Sequence, residues 1–180
     1  MKKVLFAIAA LATSLTASAQ LWVGGDLSFG NQSYWNGDDA RTTWSISPSV
    51  GYALDDALEV GLDFTIGGSS FAKTSNFNFK IAPFARYTFL SEGDFSMFIE
   101  GKVGYKYDKD KDADKADWDF YCTIQPGVKY ALTDNFSMVA SLGGLYFTHN
   151  NPAGPSFGGP QNNFGLNFGT GLSFGLVYSF

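Results

Sequence analysis

Eight stretches of the sequence alternate apolar and polar residues with a period of two, and this pattern limits the fold more than any other feature. In a β-strand, residues i, i+2 and i+4 share one face. The first stretch places Leu21, Val23, Gly25, Leu27 and Phe29 on one face, and the second places Trp44, Ile46, Pro48, Val50, Tyr52 and Leu54 there. The same spacing runs through Leu58–Ile66, Phe77–Phe89, Phe95–Tyr107, Trp118–Leu132, Phe136–Tyr146 and Phe164–Phe180. None of these positions is charged. The alternate face carries ten charges: Asp26, Glu59, Asp63, Glu100 and Asp119 against Lys80, Arg86, Lys102, Lys106 and Lys129.

A soluble sandwich also alternates, but it buries the apolar face and wets the polar one. Here the apolar face is large and aromatic, and the charged face is balanced. Lipid outside an enclosed polar interior accounts for both. Each stretch also has roughly the ten residues that a tilted membrane-crossing strand needs. The expected fold is therefore all-β, a transmembrane eight-stranded antiparallel up-and-down β-barrel. No run of apolar residues is long enough for a transmembrane helix.

Connections alternate in length. Tight turns are expected near Asp55–Asp56, Ser91–Asp94 and Thr133–Asn135, and longer links at Asn31–Thr42, Gly68–Asn76, Asp108–Asp117 and His149–Gln161. Short periplasmic turns and longer outer loops are usual in such barrels. Ahead of the first strand, Lys2 and Lys3, the apolar stretch Val4–Leu15 and the small residues Ala17-Ser18-Ala19 read as a secretory signal cleaved near Ala19 or Gln20. The expected division is residues 1–20 as signal peptide and 21–180 as barrel domain.

A short unit recurs on the second, fourth and sixth strands: Ile46-x-Pro48-x-Val50-x-Tyr52, Ile81-x-Pro83-x-Ala85-x-Tyr87 and Ile124-x-Pro126-x-Val128-x-Tyr130. Its tyrosines, with Tyr178, fall at one depth, where an aromatic girdle meets the bilayer interface. Each proline removes a donor from the ladder, so a bulge or local widening is expected there.

The whole mature length resembles the OmpA/OmpX-like family of small outer-membrane barrels, the porin-family outer-membrane β-barrel domains. The terminal strand, Leu172-x-Phe174-x-Leu176-x-Tyr178-x-Phe180, is similar to the one that the barrel-assembly machinery recognises. The resemblance implies Gram-negative outer-membrane insertion, with Phe174, Leu176, Tyr178 and Phe180 as assembly signal, and a role in envelope integrity, adhesion, host contact or narrow transport.

Candidate chemistry is sparse. The chain is acidic, with net charge −5, which argues against nucleic acid as a partner. Its single cysteine, Cys122, excludes an internal disulfide and faces lipid in this register. His149, the one histidine, is followed by Asn150 and Asn151, so the His-x-Ser pair of barrel deacylases is missing. Asp108-x-Asp110-x-Asp112 imitates a calcium loop, but Ala113 replaces the turn glycine and lysines interrupt the acids. No catalytic, cofactor or metal residues are assigned, and no enzyme activity is expected.

The candidate site is the lumen. Glu59, Asp63, Lys80, Arg86, Glu100, Lys102, Asp119 and Lys129 are expected to form a polar network. They face a wall of small residues on strands one, two and eight, including Ser45, Ser47, Ser49, Gly51 and Gly175. Eight strands leave an interior that side chains just fill, so the lumen is expected to be sealed. The alternative is a small pore, or a conduit for small or hydrophobic solutes. Expected partners are membrane lipids, lipopolysaccharide through the outer loops, and the assembly machinery, with the barrel itself a monomer.

Overall fold

The turns set the hairpins. Asp55 accepts hydrogen bonds from the backbone N–H of Ala57 and Leu58, both at 2.8 Å, and Thr133 Oγ1 accepts one from Phe136 N at 3.0 Å. Side chains that tie down the backbone in this way hold tight turns. The third turn uses Gly93, whose φ of 57° is open to glycine at no steric cost.

In a computed structural model, residues 21–33, 40–71, 74–110, 116–151, 160–167 and 173–180 are described. The expected signal segment lies outside them. Among the described residues ten strand segments form: β1 Leu21–Ser33, β2 Ala40–Ala53, β3 Leu58–Phe71, β4 Thr74–Glu92, β5 Phe95–Asp110, β6 Asp117–Ala131, β7 Phe136–Ser141, β8 Leu145–Asn151, β9 Gln161–Leu166 and β10 Ser173–Ser179. β7 and β8 are successive parts of one stave against β6, and β9 and β10 are parts of the next. Each hydrogen-bonds its sequence neighbours, and β1 pairs β10 from Trp22↔Ser179 to Gly25↔Leu176. The result is a closed eight-stranded antiparallel barrel. Several strands outrun the expected spans, β4 reaching 19 residues.

Burial is inverted relative to a soluble protein. The buried apolar side chains, among them Trp22, Phe84, Phe98, Val139 and Val177, all point inward, while large residues such as Leu27, Phe29, Phe164 and Leu176 are exposed on the outside. Exposed apolar surface on this scale marks contact with a nonaqueous phase.

The three repeat prolines are accommodated one-sidedly. Pro48, Pro83 and Pro126 keep partners on the preceding strand, namely Gly25, Leu62 and Ile99. On the other side the ladder skips. β2–β3 jumps from Ile46↔Ile66 to Ser49↔Asp63, and β4–β5 jumps from Ile81↔Tyr105 to Phe84↔Lys102. At Pro126 the skip becomes a true bulge. Gly127 pairs Ser141 and Ile124 pairs Leu145, so Leu142, Gly143 and Gly144 oppose only Gln125 and Pro126. One extra residue turns every later side chain over. Leu145 and Phe147 therefore face outward, and Tyr146, expected outside, points into the lumen over Gly165.

Candidate functional site

Six of the eight expected network residues join into one chain of ion pairs. Lys129 Nζ lies 3.0 Å from Glu59 Oε1, and Arg86 Nη1 lies 3.1 Å from Glu59 Oε2. Arg86 also donates from Nε and Nη2 to Glu100 Oε2, at 3.1 and 2.7 Å. Lys102 Nζ reaches Glu100 Oε1 at 3.0 Å and Asp63 Oδ2 at 2.5 Å, and Gln125 Nε2 donates to Glu100 Oε1 at 3.0 Å. Three cations meet three carboxylates, lacing β3, β4, β5 and β6 together. Glu100 is 2% exposed and Arg86 6%. Buried charges at that depth are tolerable only when paired and hydrogen-bonded throughout, which these are.

The other two lie apart. Asp119 pairs with Lys106 at 3.5 Å, in a separate outer cluster where Lys106 also meets Asp108 at 2.8 Å. Asp108, expected in a loop, extends β5 and accepts a hydrogen bond from Asn76 Nδ2. Lys80 joins neither cluster.

The network rests on an apolar layer. Trp22, Phe84, Phe98, Val139 and Val177 form one buried cluster in the lumen. Arg86 bridges the two layers, with its guanidinium carbon 4.4 Å from the centre of the Phe98 ring, 5.4 Å from Trp22 and 5.5 Å from Phe84. Desolvated contacts of this kind contribute about 0.5–2 kcal/mol each. Trp22, Val139 and Val177 belong to the lumen although no charge marks them. Strict alternation places Trp22 there, one position from outward Val23.

Five inward rings each lie over a glycine directly across the ladder: Trp22 over Gly51, Phe84 over Gly61, Tyr121 over Gly104, Phe98 over Gly127 and Tyr146 over Gly165. A glycine opposite an aromatic gives the ring a flat floor. Beside the network, against Ser49, Ser141, Ser173 and Gly175, a gap of about 80 Å³ remains, with room for a few waters.

Cys122 faces outward between Val103 and Phe147. His149 Nδ1 lies 2.7 Å from Asn162 Oδ1 and its ring tilts against Trp118 at 5.9 Å. At the end of β10, Tyr178 packs edge-on against Phe136 and Phe180.

A family model described as "Outer membrane protein beta-barrel domain" matches residues 4–180. The chain belongs to that family. Two solved barrels are similar in fold: Neisserial surface protein A, with a TM-score of 0.62 at 18% identity, covering 91% of this chain and 98% of the other; and the N-terminal β-barrel domain of Pseudomonas aeruginosa OprF, with a TM-score of 0.52 at 14% identity and the same coverage. No curated protein matches the sequence.

Proposed function

We propose that this outer-membrane barrel is a noncatalytic structural and surface-interaction protein, exported by a signal cleaved near Ala19, whose lumen is closed and whose outer connections meet its partners. The observation that supports this most is the double plug, an ion-pair chain centred on buried Arg86 and Glu100 resting on the Trp22–Phe84–Phe98 layer. A solute crossing it would have to break pairs whose members are already desolvated. Losing one partner of such a pair costs about 3–5 kcal/mol. The network is electrically neutral and saturated, which suits a seal better than a path with stepping stones for ions.

Planar-bilayer recording tests the reading. The purified full chain is expected to give no stable unitary openings, while Arg86→Ala, which unhooks both Glu59 and Glu100 and leaves space beside three rings, is expected to give them. Stable openings in the unsubstituted protein would instead favour a small pore or conduit.

A further inference from the structure

The outer half of the lumen holds a larger cavity, of about 290 Å³. Polar groups line most of it: hydroxyls such as Ser28 and Thr65, the amide of Asn78, three cations, Arg41, Lys80 and Lys106, and one carboxylate, Asp108, with Trp44 beside them. On a chain with net charge −5 this is a local reversal of sign.

Lys80 and Lys106 are direct partners across the β4–β5 ladder. Like charges directly opposite one another destabilise a sheet. Lys106 is compensated by Asp108 at 2.8 Å and Asp119 at 3.5 Å. Lys80 has no ion pair among the described residues, and its partner on β3 is the uncharged Thr65. An ammonium in the lumen that faces another cation and has no ion pair among the described residues, with Asp108 of the same wall already paired to Lys106, is costly for the barrel alone. An arriving anion would remove both penalties at once.

We propose that this cavity binds a phosphate borne on a sugar-sized hydroxylated ligand, with Lys80 receiving the charge. The volume is near the lower end of small-molecule sites. The hydroxyl and amide groups of the lining match a polyhydroxylated ligand, whose ring faces the remaining apolar surface can meet. The site uses the outer half of the lumen alone, so it stands or falls independently of whether the plug beneath it is tight. Two sources carry this chemistry: a free sugar phosphate, and the phosphorylated sugar headgroup of outer-leaflet lipid.

The test is titration calorimetry on the full chain refolded in detergent micelles, with the fold of each variant checked by heat-modifiable gel mobility. Probes are glucose 6-phosphate, glucose, and the phosphorylated oligosaccharide released from lipopolysaccharide. At least one phosphorylated probe is expected to bind while glucose does not, and whichever binds names the source. Lys80→Gln should weaken binding at least tenfold, Lys80→Arg should retain it, and binding should weaken with added salt. Lys109→Gln makes the same charge change at an exposed position on β5 and should leave binding intact. Lys80→Gln should also raise the melting temperature of the unliganded barrel, because it removes the repulsion with Lys106. The proposal is overturned if neither phosphorylated probe binds, if glucose binds equally well, or if Lys80→Gln binds as the parent does. A loss in Lys109→Gln as large as in Lys80→Gln would also overturn it, by exposing nonspecific attraction.

Discussion

Rings seated over glycines make the lumen's packing unforgiving at some positions and indifferent at others. A Cβ built on Gly61 would stand 2.3 Å from Phe84 Cζ and 2.5 Å from the carbonyl oxygen of Val50, and the second of these is backbone that cannot swing away. Gly61→Ala is therefore expected to cost about 1–3 kcal/mol, as overpacked interiors do. Gly101, on the outward face, has nothing within 4 Å of its added Cβ; Gly101→Ala should stay within about 0.5 kcal/mol of the parent. Urea unfolding of both variants in lipid vesicles checks the contrast, and equal losses would defeat it. At this scale the sequence tells only part of the story. Charges absent from one face and present on the other mark the lumen without any knowledge of pairing. Which carboxylate meets Arg86, and that Lys80 pairs with none among the described residues, depends on register across four strands, and no single stretch of sequence contains that.

Among the strands, the sixth and seventh staves show most clearly where periodicity reads true and where it fails. Alternation carried from Phe136 would put Tyr146 in lipid; the bulge at Leu142–Gly144 puts it inside and Phe147 outside. Spin labels placed singly at the two positions should report a polar, enclosed site at 146 and hydrocarbon at 147. The reverse assignment would mean that no bulge forms. The strands themselves are legible because a period of two survives any choice of partner. The bulge is not, since Gly143 and Gly144 look like ordinary strand glycines until Pro126 is set across from them. The prolines gave the right warning: each interrupts the ladder only toward the strand that follows, the most local way to lose a donor without opening the wall.

For the molecule as a whole, the lumen divides into an inner half filled by the ion-pair chain and its apolar layer and an outer half that holds the larger cavity, and the wall that encloses both is made of contacts of two very different kinds. Seven of its eight seams join staves that are neighbours in sequence. The eighth, Trp22–Gly25 against Leu176–Ser179, joins residues more than 150 positions apart. Closing so long a loop carries an entropic cost that a hairpin does not. In a Cys122→Ala background, a disulfide between Val23→Cys and Tyr178→Cys should form at least tenfold later during refolding than one between Ser91→Cys and Ser96→Cys, which face each other across a single turn. Equal rates would show that the cylinder closes as it collapses. Until the late seam is made, the chain is an open ribbon with two raw margins, each a template on which another copy can lay its own. Crowding newly made chains together before that moment is thus expected to yield fibres and mixed sheets in place of cylinders.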